Sequence, residues 1–333
     1  MPGSQSFDAI RTASASLESQ NLELVRQLIV AGKEGWQAID RVIETAMEAA
    51  GCGVERLDYL PSDVPLADEF AAEEFASKSM ECCVIGRIAG HGSGRSLLLF
   101  AHPDTEPFEE EPAWRADPFE PTIRGGRLYG WGVADDLAGI AMLVQGIRFL
   151  RCAGLRPLGD LLLVSAPSKQ HRRGIAAALH HGLHADAAIY LHPAESGRGL
   201  DEIKAYAPGQ LEFMITVGGQ EPDTAEPAHT AFAHRAVSPF GKMMLIAKAL
   251  QDLDRTRGRQ VRHATIDRAI GRSTNLMLSH CNFGSKSTLS RMTPCCELGG
   301  AMSLIPGEKL DDVMKTVEGT EFTKETAKRN QFA

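Results

Sequence analysis

Residues 114–144 read WRADPFEPTIRGGRLYGWGVADDLAGIAMLV. Glycines at 125, 126, 130 and 132 break the first half into a loop, and the second half is an apolar run that predicts a helix over residues 136–153. Asp135 and Asp136 stand at the junction. An aspartate there ordinarily caps the helix. Beside a histidine on a neighbouring strand end, the same carboxylate becomes a zinc ligand.

Working outward, SLLLFAHPDTEPF (residues 96–108) places His102 and Asp104 just past an apolar strand, and AAIYLHPAESG (residues 187–197) places His192 directly after another. A histidine at such a position offers a neutral ring nitrogen to a metal, and a carboxylate two residues on orients the ring. In open α/β sheets ligands gather at the carboxyl ends of strands. Two histidines and one aspartate at three such ends would form an open three-ligand site with room for water.

The rest of the pattern predicts an α/β fold, a mixed sheet flanked by helices, followed by a smaller α+β domain. A long helical pattern covers residues 22–50. Strands are expected at 54–59, 83–88, 96–101, 161–165 and 187–191, with a helix at 175–182. The glycine-rich GHGSG (residues 90–94) is read as a plain hairpin joining two of these strands, because it opens no helix. From about residue 201 the pattern changes to strands at 210–217, 274–281 and 296–304 with helices at 239–253 and 308–317. The expected division is residues 1–200, 201–320 and a tail at 321–333.

At 333 residues the chain is long for one core. A net charge of −8 argues against nucleic acid as a partner. Arginines 255, 257, 259, 262, 268 and 272 crowd one stretch, but aspartates interrupt it and no aromatic residue lies within it, so a solvated helix end and loop is expected. No apolar stretch approaches the roughly 20 residues of a membrane helix, and the N-terminus has no basic start followed by an apolar run, so a cytoplasmic protein is expected. Seven cysteines with two adjacent pairs suit neither a disulfide framework nor a CxxC zinc site, and reduced, mostly buried thiols are expected.

The order strand, HxD, then W-x-x-DPF-x-P-x-I-x-x-G-x-LYG-x-G-x-x-D, then helix resembles the zinc aminoacylase and exopeptidase family of acetylornithine deacetylase, succinyl-diaminopimelate desuccinylase and carboxypeptidase G2. The resemblance covers residues 22–317 and implies a catalytic zinc-exopeptidase α/β domain with a smaller dimerisation (lid) domain. It implies that His102 binds one metal, that Asp135 bridges two, that Asp104 supports His102, and that His192 stands where the family has a glutamate or aspartate. It also implies a cis peptide joining Asp135 to Asp136. EPAHTAFAHRAVSPF (residues 226–240) is similar to the family segment whose histidine reaches the partner subunit's active site and steadies an oxyanion, which would be His229.

Three departures from the family fall together. Its Glu-Glu pair, general base and second-metal ligand, is replaced by Ser168, Lys169 and Gln170 in SAPSKQHRRG, and residues 161–185 contain no aspartate or glutamate. A lysine there repels a second cation. The family resumes its catalytic domain after a point matching Val317 and supplies a late histidine, whereas this sequence stops at Ala333; a truncated product is one reading of that. Ser303 replaces a substrate-gripping arginine, and Arg291 stands where an asparagine is usual.

One zinc ion or none is therefore expected, with His171 as substitute base and Glu195 as a further group near the metal. The expected activity is metal-dependent hydrolysis of an amide in a small N-acyl amino acid or peptide-like substrate by a homodimer. The alternative is a catalytically silent homologue acting as a binding or dimerisation module.

Overall fold

The computed structural model describes residues 4–65, 76–108, 114, 116–192, 201–205, 208–226 and 229–319. The chain divides into two compact units, Met1–Ile203 and Lys204–Ala333. In the first unit a five-stranded sheet is built from β1 (Gly53–Tyr59), β2 (Glu81–Ile88), β3 (Leu97–Ala101), β6 (Leu161–Ser165) and β7 (Ala187–Tyr190), in the order β1-β2-β6-β3-β7. The β1-β2 and β2-β6 pairs are antiparallel, while β3 runs parallel to both β6 and β7. A small hairpin of β4 (Thr122–Arg124) and β5 (Arg127–Tyr129) turns through Gly125 and Gly126, both at positive φ.

Helices cover both faces, so the central strands are apolar on both sides. On one face, α2 (Glu18–Ala31), α3 (Trp36–Ala49) and α4 (Ala138–Cys152) pack Leu28, Ile43, Met47, Ile140 and Val144 against Cys82, Val84 and Leu163. On the other, α5 (Gly174–His180) sets Ala177 and Ala178 against Cys83, Ile85, Leu162 and Val164. The alternation of Cys82 and Val84 with Cys83 and Ile85 is the two-residue period of a strand buried twice.

The hairpin expected at residues 90–94 does not form. β6 lies between β2 and β3. The glycines make room for the chain entering β6: a Cβ on Gly90 would lie 2.5 Å from the Leu158 carbonyl oxygen, and one on Gly94 would lie 2.6 Å from the Gly159 nitrogen. The loop is tied to that incoming segment by His91 N–H to Pro157 O at 3.1 Å, Gly92 N–H to Leu158 O at 3.0 Å and Gly90 N–H to Asp160 Oδ1 at 2.8 Å.

The long helical pattern at residues 22–50 also divides. Residues 32–34 form a tight turn and Gly35 takes φ of 101°, a left-handed value open to glycine, which separates α2 from α3. A further helix, α1 (Ser4–Ser16), precedes them. On α3, Asp40 is fully buried, and neither carboxylate oxygen has a hydrogen-bond partner among the described residues. Burial pushes its carboxyl up to about 7, against the pull of Arg56 and with the help of nearby Glu44, Glu81 and Asp104.

In the second unit an antiparallel sheet of β8 (Gly209–Gly218), β9 (Leu276–Asn282) and β10 (Cys295–Leu304) has the order β8-β10-β9. Helix α6 (Pro239–Gln260) starts on a Ser238 cap with proline in its first turn and packs Met243 and Leu250 on Cys296 and Leu298. It continues past the expected end at 253. α7 (Ala264–Ile270) and α8 (Leu310–Glu318) complete the unit.

The arginine-rich stretch is solvated in part, with Arg255, Arg259, Arg262 and Arg268 exposed, and also paired. Arg257 is buried against both oxygens of Glu308 at 3.0 Å, Arg272 donates to Asp254 at 2.6 Å, Arg262 to Asp267 at 2.6 Å, and Arg255 pairs with Asp252. All seven cysteines are free, with Cys52, Cys82, Cys83 and Cys296 buried. No described helix is long and apolar enough to cross a membrane.

Two outcomes follow from this packing. Gly90→Ala forces a side chain onto backbone atoms and lowers stability by about 1–3 kcal/mol in urea unfolding; an unchanged midpoint would count against the close approach. Asp40 holds its proton in the folded chain over a range in which the unfolded chain, with a carboxyl near its ordinary value of about 4, has lost it. Its contribution to stability therefore falls as pH rises from about 4 to about 7, by up to about 1.4 kcal/mol per pH unit, and is gone above that. Asp40→Asn flattens that slope in melts between pH 5 and 8, and an identical slope in the variant would assign the dependence elsewhere.

Candidate metal centre

The centre is assembled at the carboxyl ends of two parallel strands and a non-helical kink just before α4. His102 follows β3, and His192 follows β7 after Leu191, whose N–H continues the ladder to Phe100 O at 2.8 Å. Because β3 and β7 are neighbours in parallel register, their ends arrive side by side. Asp135 comes from the turn Val133–Leu137, where the Asp135–Asp136 peptide is cis. Gly132 enters this turn at φ of 68° against Thr105, leaving no space for a side chain. Gly139 is equally confined, since a Cβ there would lie 2.2 Å from Asp136 Oδ1 and from the Leu191 carbonyl oxygen.

The three expected ligands meet. His102 Nε2 is 2.9 Å and His192 Nε2 3.1 Å from the same oxygen, Asp135 Oδ1. One nitrogen or oxygen from each of the three lies within 4.8 Å of the others. His102 is buried, while His192 and Asp135 are partly open to solvent. Asp104 backs His102: its carbonyl oxygen is 2.9 Å and its carboxylate Oδ1 3.4 Å from His102 Nδ1. With the ring proton held on Nδ1, the Nε2 lone pair faces a carboxylate oxygen. Two acceptors at 2.9 Å repel each other unless a cation or a second proton lies between them, so this arrangement suits a divalent ion.

Without an ion, the surrounding charges favour cationic imidazole and ionised carboxylate here. Burial alone would lower the His102 imidazole, but its bonds to Asp104 and the charges of Asp104 and Asp136 raise it. Burial likewise acts against the charged form of Asp135, yet the Lys169 ammonium and the two imidazoles hold its carboxyl below the usual range. Asp136, fully buried, accepts the His102 backbone N–H at 3.3 Å, and burial pushes its carboxyl up to about 7.

Lys169 does more than repel from a distance. Its Nζ donates to Asp135 Oδ2 at 2.9 Å and to Glu106 Oε1 at 3.1 Å. Asp104 fixes the loop that carries it, accepting Ser168 N–H on Oδ1 at 3.0 Å and Lys169 N–H on Oδ2 at 2.6 Å. Glu106 and Tyr190 escaped the sequence reading, although both stand in the two-residue period of extended chain, after His102 and Asp104 and before His192. Tyr190 stacks on Phe100 with ring centroids 4.6 Å apart and lies 5.0 Å from His192.

The remaining candidates are not among the three groups that converge. His171 ends the short turn Lys169–His171 with a left-handed φ of 56°. His229 belongs to the second unit, where its Nδ1 accepts the Ala231 N–H at 3.1 Å and its backbone bridges to Arg291. Ser303 is engaged with Asn275, whose N–H it accepts at 2.7 Å. Glu195 lies outside the described residues.

Residues 98–281 match Peptidase family M20/M25/M40. The chain is 31% identical over 212 residues to succinyl-diaminopimelate desuccinylase of Xanthomonas oryzae pv. oryzae (strain MAFF 311018), an alignment covering 60% of this chain and 54% of that protein. It thus spans about half the length of such curated relatives. Its fold is similar to that of the di-peptidase Dug1p from Saccharomyces cerevisiae, with a TM-score of 0.64 at 12% identity over 97% of this chain and 78% of that one. It is also similar to a dinuclear metal-binding M20-family peptidase of Bacillus subtilis, with a TM-score of 0.51 at 14% identity over 92% of this chain and 70% of that one. The matched residues run from β3 through β9, take in all three converging ligands and amount to more than half of the sequence, so the chain belongs to peptidase family M20/M25/M40.

Proposed function

We propose that this protein hydrolyses an amide bond in a small N-acyl amino acid or peptide-like substrate, as a deacylase, desuccinylase or peptidase dependent on one divalent ion. The observation that carries the reading is the convergence of His102 Nε2 and His192 Nε2 on Asp135 Oδ1, at 2.9 and 3.1 Å. Two imidazoles and a carboxylate form a donor set suited to zinc. When bound, such an ion lowers the pKa of water to about 7 and polarises a carbonyl.

The protein's own groups then have distinct tasks. Asp104 keeps the His102 proton on Nδ1 and so leaves Nε2 free to act as a ligand. Lys169 and Glu106 hold Asp135 in place from the other side. His171 is the candidate base for the water proton, since residues 161–185 carry no carboxylate.

The second unit is proposed to form a homodimer in which His229 acts across the two-fold axis on the oxyanion of the tetrahedral intermediate. The same lack of carboxylates favours a second reading, a silent homologue that binds a metal or ligand without turnover.

Metal content and turnover separate these readings. His102→Ala loses bound zinc in elemental analysis and at least about a hundredfold of any amidase activity on N-acetyl and N-succinyl amino acids; a variant that keeps its metal would remove His102 from the site. Tight zinc with no hydrolysis of any such substrate by the unaltered protein would favour the silent homologue. For the dimer, His229→Ala lowers kcat at unchanged zinc content and unchanged dimer mass in sedimentation, and a monomeric parent protein would refute the cross-subunit role.

A further inference from the structure

The described residues bring one more cation to the centre, supplied by the chain itself. Asp135 has two carboxylate oxygens, and they are divided. Oδ1 faces the two imidazoles, and Oδ2 accepts from Lys169 Nζ at 2.9 Å. The Lys169 side chain is 15% exposed, so it is no passing surface contact. Its second partner, Glu106 Oε1 at 3.1 Å, places the ammonium between two carboxylates. Its backbone is pinned by Asp104, the residue that also orients His102. One loop therefore fixes both the ligand and the ammonium.

We propose that Lys169 is a built-in monovalent cation on the outer oxygen of Asp135, which takes the place a second divalent ion would occupy and limits the centre to one. This rests on the reading of His102, Asp135 and His192 as metal ligands. Charge gives the physical reason. An ammonium occupies Asp135 Oδ2 and neutralises one carboxylate of the Asp135–Glu106 pair, so a second ion would meet its charge beside those oxygens. Like charges a few ångströms apart in a partly dehydrated site repel strongly. The lysine also weakens the hold on the first ion, because Asp135 shares its charge with it.

The test counts ions and measures their affinity, without reference to turnover. Metal-free protein is titrated with zinc by calorimetry, and bound zinc is counted by mass spectrometry, for the parent chain and for Lys169→Met, Lys169→Gln, Lys169→Arg and Lys169→Glu. Circular dichroism melts identify the variants that remain folded. The parent and Lys169→Arg bind one zinc with similar affinity. The neutral variants bind the first zinc about tenfold or more tightly, and Lys169→Glu, with a third carboxylate beside Asp135 and Glu106, takes up a second.

Two ions in the parent would overturn the proposal. So would one ion in every variant with affinity unchanged or weakened in Lys169→Met and Lys169→Gln; in that case the metal centre itself stands. No zinc in the parent or in either neutral variant would sink both the proposal and the reading beneath it.

Discussion

A single carboxylate carries the tension of this molecule. Asp135 places one oxygen against two imidazole nitrogens and the other against an ammonium, in a setting only partly open to water. Such a group is held in one orientation only when the positive charge around it is fixed, because each of its oxygens then has its own cationic or hydrogen-bonding partner. Asp104 supplies that fixity from behind. Its carbonyl sets the His102 ring, and its carboxylate takes two consecutive backbone N–H groups of the Lys169 loop.

The sheet order is what makes this geometry available. β6 separates β2 from β3, so the loop leaving β6 emerges beside the residues leaving β3. β7 flanks β3 on its other side and delivers His192. Had residues 83–101 paired as a hairpin, His102 and the Lys169 loop would have been separated by a strand's width of about 5 Å or more. The glycines at 90 and 94 are part of this arrangement, because they admit the backbone that leads into β6.

Charge in the second unit follows the same rule of local pairing. Its arginines look like a basic patch along the sequence, yet Arg257 sits buried against Glu308, which is 51 residues away. Arg272 reaches back to Asp254 on α6. Arg257 and Arg272 find partners across the unit, while Arg255, Arg259, Arg262 and Arg268 stay exposed, as a solvated helix end and loop would have them.

By itself the sequence determined the strands that carry the site and the chemistry available at their ends. Apolar runs closed by His102 and His192, and a glycine-rich loop closed by Asp135, identify strands and a turn because residue type and period are local properties of the chain. The carboxylate-free run at 161–185 is equally a matter of reading. Only the tertiary structure decided the partners. That β6 enters between β2 and β3, that Lys169 touches Asp135 and Glu106, and that Asp40 is buried in the packing around α3 depend on contacts between residues tens of positions apart. Such contacts are set by packing and charge compensation across the whole unit, and no short window of sequence contains both of their ends.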